Sequence, residues 1–129
     1  MIETEHNLME AVVISITLDA SRMYVEVALR SPWDSRMVRI VFFGVRHFCA
    51  SDLATQNIVE DIVLENLDAF RDKKADCRLS DWASGQLDSF LALSGSRSLP
   101  QSAMEFQPLF GANILVLCDS YEVFSNHLP

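Results

Sequence analysis

Alternating hydrophobic and polar residues in the first third of the chain predict an antiparallel sheet. Residues 23–29 alternate strictly, which is typical of a strand with one face on a core and the other in water. The β-branched residues of segment 9–18 predict a strand before it, and residues 37–43 predict a third strand that ends at Gly44. Pro32 separates the second and third runs, since proline cannot donate a hydrogen bond inside a ladder. We therefore expect a three-stranded meander.

The hydrophobic run at residues 58–64 fits two interpretations. Its hydrophobic residues recur at intervals of four, as on a helix face, but the run is short and rich in β-branched residues. Periodicity cannot separate strand from helix in so short a run, and we favour a strand that follows a turn at 54–57. Residues 113–118 predict a final buried strand, which can resume over 121–124.

The main helix is predicted over residues 80–94. Ser80 suits the N-cap, and Gly95 suits the left-handed residue that commonly ends a helix. Residues 95–108 contain two prolines and several serines, which predicts a loop. The hydrophobic stripe of the helix, at spacings of three and four, consists of Leu79, Trp82, Ala83, Leu87, Phe90 and Leu91.

These elements predict a single domain over residues 1–129. We expect the α+β class, with an antiparallel sheet of four or five strands and the 80–94 helix packed across one face. A length of 129 residues is typical of one domain. The sequence shows no internal repeat, and its hydrophobic runs are far shorter than the ~20 residues of a membrane-spanning helix.

Charge narrows the range of partners. Eighteen acidic residues against ten basic ones give a net charge of -8. Such a surface repels nucleic acids and anionic lipids, so we expect neither as a partner, and it attracts basic proteins instead. Acidic side chains in an acidic protein can also be merely solvated. The candidate contacts with a basic protein are Glu60, Asp61, Glu65 and Asp68, together with Trp33 as a hydrophobic contact in a loop.

The candidate chemistry is confined to one short segment. His47 and Cys49 could ligate a metal, or pair a nucleophile with a base, or stand with Arg46 at the mouth of a ligand pocket. A zinc site needs four ligands and the sequence offers no second pair, so we expect no metal and no cofactor. The sequence also lacks glycine-rich phosphate loops, a nucleophile elbow and the metalloprotease motif, which favours a protein without catalysis.

The compartment follows from the cysteines and the N-terminal residues. Three widely spaced cysteines do not suit a disulfide scaffold, so we expect free thiols. The first residues lack the basic and hydrophobic segments of a signal peptide. The sequence therefore predicts a cytoplasmic protein.

Part of the chain resembles a known group of proteins. The residues concerned are the run Val-Phe-Phe-Gly-Val-Arg-His-Phe at 41–48, then Asp52-Leu53, Gln56-Asn57-Ile58-Val59 and Asp61-Ile62. Within about residues 36–64, this pattern resembles small uncharacterised bacterial proteins, some of which are similar to immunity proteins that neutralise toxins delivered between bacterial cells. The resemblance implies a compact antitoxin-like binding domain without catalysis, and it assigns no role to an individual residue.

Three functions remain open on the sequence alone. The favoured one is a non-catalytic protein-binding domain, of the immunity type, that neutralises a basic partner through its acidic surface. The second is a small-ligand-binding or enzymatic domain with a pocket near His47 and Cys49. The third is a structural subunit of a larger assembly.

Overall fold

The computed structural model describes residues 8–32, 36–67, 78–94 and 100–127. All of its strand pairs are antiparallel, and they form one sheet in the order β4-β7-β6-β5-β1-β2-β3-β8. The elements are β1 (Val12–Asp19), a 3-10 turn (Ala20–Arg22), β2 (Tyr24–Arg30), β3 (Arg36–Phe43), β4 (His47–Ser51), β5 (Ile58–Asn66), α1 (Asp81–Ser94), β6 (Ser102–Phe110), β7 (Asn113–Cys118) and β8 (Ser120–His127).

The predicted sheet of four or five strands is wrong, because the sheet has eight strands and dominates the fold. The predicted meander, the 113–118 strand and the strand interpretation of 58–64 are confirmed. Strand β6 occupies much of the predicted loop at 95–108, and β4 lies where no strand was expected. Pro108 is tolerated within β6 because it lies opposite Val59, where the register of β5 shifts and the ladder is already irregular.

The sheet bends into two four-stranded sections. Sheet I contains β1, β2, β3 and β8, and sheet II contains β5, β6, β7 and β4. β1 and β5 pair briefly along one side, while β3 continues into β4 and β7 continues into β8. These two chain segments therefore leave one sheet and enter the other, so each sheet has an edge strand that comes from the far half of the chain.

The two crossing segments contact each other at the bend. The backbone N–H of Asp119 donates to the carbonyls of Phe43 (3.1 Å) and Gly44 (3.2 Å), and the N–H of Arg46 donates to Leu117 (2.8 Å). Gly44 has a φ of 62°, and a Cβ there would lie 2.3 Å from Asp119 Oδ2. Glycine is therefore favoured at this position by both conformation and space.

The strand order has a two-fold repeat that the sequence does not show. If every strand number is replaced by the number four away, so that β1 becomes β5 and β4 becomes β8, the result is the original strand order read in reverse. Each half is a three-stranded meander whose fourth strand joins the other sheet. Under this correspondence, α1 connects β5 to β6 where the 3-10 turn connects β1 to β2.

Two hydrophobic cores hold these layers together. The main core lies between the sheets, where Phe42 and Phe106 meet edge to face with ring centroids 6.3 Å apart. The second core joins α1 to the outer face of sheet II, so the predicted packing of the helix on one sheet face is confirmed. Its buried residues are Val63, Leu67, Leu79, Ala83, Leu87, Ala103, Leu115 and Leu117.

The N-terminus of α1 is capped as predicted. The backbone N–H of Ala83 donates to the Ser80 hydroxyl at 3.1 Å, which satisfies one of the unpaired amides of the first turn. Within the part of the chain that the structure describes, no helix is long and apolar enough to cross a membrane.

Candidate functional site

The charges of the described residues are divided between the two sheets. Sheet II with α1 (residues 47–67, 78–94 and 100–118) contains seven acidic residues and a single basic one, Arg78. Sheet I with the bend (residues 8–32, 36–46 and 119–127) contains five acidic residues and five arginines. We call the first group the acidic half and the second the neutral half. All of the acids in the acidic half except Glu105 are at least partly exposed.

The predicted contact residues differ in their surroundings. Glu60 is exposed at the irregular register between Val59 and Asp61. Asp61 and Glu65 are half-buried. Glu65 Oε1 accepts a 2.9 Å hydrogen bond from the Arg78 backbone, and Asp61 Oδ2 lies 4.0 Å from the Arg78 guanidinium. These two carboxylates therefore hold the segment that leads into α1, which leaves Glu60 as the freely exposed candidate.

Two further predicted contacts cannot be placed. Asp68 and Trp33 lie outside the described residues. The exposed acids that the structure adds to the acidic half are Asp52, Asp81 and Asp88. Asp81 lies in the first turn of α1, where its charge also stabilises the helix. Asp52 has no such role and is the closest match to Glu60.

A pocket of about 300 Å³ lies at one end of the main core. It lies between the β1–β2 turn and the β3–β4 bend. A 2.8 Å hydrogen bond from the Val45 N–H to the Met23 carbonyl joins these two segments. Arg46 is held at the pocket by Asp119, with 3.1 Å between Nη2 and Oδ2. The lining residues are Leu18, Asp19, Ala20, Met23, Tyr24, Val25, Val45, Arg46, His47 and Phe48.

The structure brings Arg46 and His47 to this pocket but leaves Cys49 outside its lining. Cys49 packs against the second core, and burial, with a smaller contribution from Glu105, raises the pKa of its thiol to about 11. The thiol is therefore protonated at neutral pH and is a poor nucleophile. The His47 ring contacts Phe90 of α1, with centroids 5.7 Å apart. The segment is suited to binding a ligand more than to nucleophilic chemistry.

Neither of the described cysteines is an activated thiol. Burial raises the pKa of Cys118 to about 12, with a further contribution from Asp119, and both described cysteines are free. Cys77 lies outside the described residues. Among the residues that the structure places, no three His, Cys, Asp or Glu side chains are grouped so that they could hold a metal ion.

Sequence reasoning missed the buried carboxylate of Glu105, which is 0% exposed. It accepts hydrogen bonds from the Ser80 N–H (2.8 Å), the Ser80 hydroxyl, the Gln107 amide (3.0 Å) and the Asn113 amide (3.0 Å). The signal was an acidic residue between Met104 and Phe106, but it fell in the predicted loop. Since neutral donors occupy both oxygens, the carboxylate anchors the start of α1 to sheet II.

The outer face of sheet I is a second feature that the sequence did not reveal. No element in the described ranges covers it. The Arg39 guanidinium lies 5.2 Å from the centre of the Phe124 ring, and the Tyr24 and Phe43 rings meet edge to face at 6.1 Å. Glu26 accepts hydrogen bonds from both Arg39 and Tyr24, each 3.0 Å long. Aromatic residues and arginine are the types most enriched at protein interfaces.

The geometry thus offers three surfaces for recognition: the acidic half, the pocket at the bend, and the aromatic outer face of sheet I. Comparison with known proteins adds no assignment, since no protein-family model, curated protein or solved structure matches this chain.

Proposed function

We propose that this protein is a non-catalytic binding domain that acts in the cytoplasm and engages a basic protein partner through its acidic half. The observation that carries the proposal is the division of charge between the two sheets. Among the described residues, seven acids against one arginine give the acidic half a negative field, while the neutral half has equal numbers of acids and arginines. Over the full sequence, residues 47–118, with ten acids and five bases, are still more negative than the rest of the chain, with eight acids and five bases. A field confined to one side orients a basic partner as it approaches.

The exposure and the internal contacts of the candidate residues also support the proposal. Asp52 and Glu60 are exposed, so their charges are available to a partner without loss of an internal contact. Asp61 and Glu65 contribute to the same field while they fix the Arg78 segment. The resemblance of residues 36–64 to immunity-type proteins suggests the form of this function, in which the acidic half covers a basic toxin.

Removing two of these charges should slow association with the partner. The partner is first captured from an extract of the native cell with tagged protein, and its binding kinetics are then measured over a range of salt concentrations. The double change Asp52→Asn and Glu60→Gln should lower the association rate several-fold at low salt, because long-range steering is electrostatic. The effect should shrink at physiological salt, where charges are screened over about 8 Å.

The matched control is Ser15→Lys with Thr17→Lys on exposed positions of β1. It raises the net charge by the same two units but acts on the neutral half, so it should slow association much less. An acidic partner would contradict the proposal. So would an association rate that ignores salt, or one that both double variants lower equally.

The pocket supports a second candidate function, the binding of a small apolar ligand. Val25 is buried at its base, and Leu18 and Met23 stand at its rim with 57% and 42% of their surface exposed. A volume of about 300 Å³ is at the lower end of the range for ligand pockets. Arg46 and His47 add polar groups at the mouth, which suits an apolar ligand with a polar end.

Filling the pocket should weaken binding of an apolar probe. Anilinonaphthalene sulfonate, an anionic dye whose fluorescence rises in apolar surroundings, should bind to the folded wild-type protein. Ala20→Trp places a large ring at an exposed lining position and should reduce the signal several-fold. Ser15→Trp, on the outer face of sheet I, is the control and should leave it unchanged. A wild-type protein that does not enhance the dye, or equal signals from both variants, would exclude this candidate.

A further inference from the structure

Hydrophobic side chains are exposed around the start of β5, on the side where β1 and β5 pair. The described residues include ten large hydrophobic side chains that are exposed, and Met9, Leu53, Leu109 and Phe110 lie in this region, each with 53–63% of its surface exposed. We call these four residues the apolar end. A group of exposed hydrophobic residues with polar residues around it commonly marks a site of protein–protein contact.

The start of β5 brings two parts of the apolar end together. The Glu10 N–H donates to the Val59 carbonyl at 2.7 Å, so Met9 and Glu10 lie beside β5 just before β1 begins. On the other side of β5, Phe110 at the end of β6 lies opposite Ile58. The exposed residues that precede β1 and those that end β6 are therefore separated by a single strand.

Asn57 attaches the loop that contains Leu53 to the same place. Its Oδ1 accepts hydrogen bonds from the N–H of Ala54 at 3.1 Å and from the N–H of Ala112 at 3.0 Å. A Cβ on Gly111 would lie 2.4 Å from this oxygen, so the β4–β5 loop packs closely against the β6–β7 turn. Leu53 is thus held near the end of β6 that carries the other two hydrophobic side chains.

Three exposed carboxylates surround the apolar end. Glu10 follows Met9, Asp52 precedes Leu53, and Glu60 lies where the register of β5 with β6 is irregular. The three segments that build this region belong to long stretches of sequence, residues 1–21, 47–70 and 98–129. These stretches contain twelve acidic residues and neither lysine nor arginine, and this count includes residues outside the described ranges.

The described arginines of the neighbouring segments leave this negative charge in place. Arg78 lies 4.0 Å from Asp61, which offsets its charge. Arg30 lies opposite Val12, which in turn lies opposite Ile58, so two strand spacings separate Arg30 from β5. Hydrophobic contact area with a negative rim is therefore the character of this surface.

We propose that the apolar end is where the basic partner docks, with a hydrophobic side chain of the partner against Phe110 and its lysines or arginines against Glu10, Asp52 and Glu60. Charge complementarity selects this occupant. A second copy of the chain would bring the same carboxylates face to face, whereas a cationic segment with an apolar residue is attracted by the rim and buries the hydrophobic surface. The inference rests on the proposed function and adds a location and an apolar component to it.

The two components act on different steps of binding. The carboxylates attract the partner at long range, so they mainly set the association rate and its dependence on salt. The hydrophobic contact forms only after docking, so it mainly sets the dissociation rate. An aromatic side chain with acids around it is therefore expected to contribute affinity that salt does not remove.

The test uses two short fluorescein-labelled peptides and the full chain. One peptide contains leucines spaced between lysines, and the other has serine in place of each leucine. Fluorescence anisotropy should show that the wild type binds the lysine–leucine peptide about tenfold more tightly. Phe110→Gln should remove most of this preference and leave the affinity for the lysine–serine peptide unchanged.

Two further variants separate the hydrophobic contact from charge. Leu93→Gln is the matched control, because Leu93 is 90% exposed on α1 of the acidic half and lies outside the apolar end. It should keep the full preference for leucine. The double change Asp52→Asn and Glu60→Gln should weaken binding of both peptides by similar factors at low salt. Thermal unfolding of each variant checks that the fold is retained.

The outcomes distinguish this inference from the proposed function. Equal affinities of the wild type for the two peptides would overturn the apolar contact while leaving attraction by charge intact. A preference for leucine that Phe110→Gln and Leu93→Gln lower equally would overturn the location. A wild type that binds neither peptide, or binds both without dependence on salt, would contradict the proposed function and this inference with it.

Discussion

Replacing Leu87 by aspartate should unfold this domain or leave it only marginally folded. Leu87 is 0% exposed and lies in the second core, between α1 and the outer face of sheet II. The change removes a buried hydrophobic side chain and places an unpaired carboxylate in a core whose described residues are all hydrophobic. We expect a loss of about 4 kcal/mol or more in the free energy of unfolding, out of a total of ~5–15 kcal/mol for a domain of this kind.

Urea unfolding followed by tryptophan fluorescence and circular dichroism measures this loss. Ser89→Asp is the matched control, because it introduces the same side chain two residues away at an exposed position of the same helix. It should change the free energy of unfolding by less than about 0.5 kcal/mol. Similar losses from both substitutions would show that the buried face of α1 is not the one described.

Replacing Glu105 by alanine should be the second most damaging single change. It leaves the Ser80 N–H and hydroxyl and the amides of Gln107 and Asn113 without their buried acceptor. Each unsatisfied buried donor costs about 1–3 kcal/mol where water cannot replace the lost partner. We therefore expect the free energy of unfolding to fall by about 3 kcal/mol or more, with the start of α1 losing hydrogen-exchange protection first.

Glu105→Gln separates the role of the acceptor from that of side-chain volume. Glutamine keeps one acceptor oxygen, but its amide nitrogen would face donors, so its loss of stability should fall between those of wild type and Glu105→Ala. Glu60→Ala, at an exposed carboxylate of β5, should cost less than about 0.5 kcal/mol. If Glu105→Ala were as mild as Glu60→Ala, the carboxylate would not be what anchors α1.

The pattern of hydrophobic and polar residues predicted the elements that have one face exposed to solvent. β2 alternates cleanly because its outer face is partly exposed, and α1 shows its hydrophobic stripe because its other side meets water. β4 shows no alternation because Phe48 packs in the main core while Cys49 packs in the second core. The sequence of such a doubly covered strand carries no periodic signal.

From the sequence, the candidate site could be predicted only as an excess of acidic residues. The excess of acidic residues over 47–118 is visible in the sequence, but the strand order shows that this stretch forms one sheet. The strand order also brings together residues more than seventy positions apart, such as Arg46 and Asp119. The same holds for the pocket, whose two walls come from the β1–β2 turn and the β3–β4 bend. In the sequence, Asp61 and Glu65 look like solvated surface acids, because their contacts with Arg78 depend on the fold.

The exchange of fourth strands between the two sheets has a consequence for the order in which the chain can fold during synthesis. β1, β2 and β3 are local neighbours and can pair as soon as they leave the ribosome. β4 must then wait for β7, and sheet I lacks its edge until β8, residues 120–127, has been made. The nascent chain therefore exposes hydrophobic sheet faces until β8 has left the ribosome, and neither half can be completed without the other.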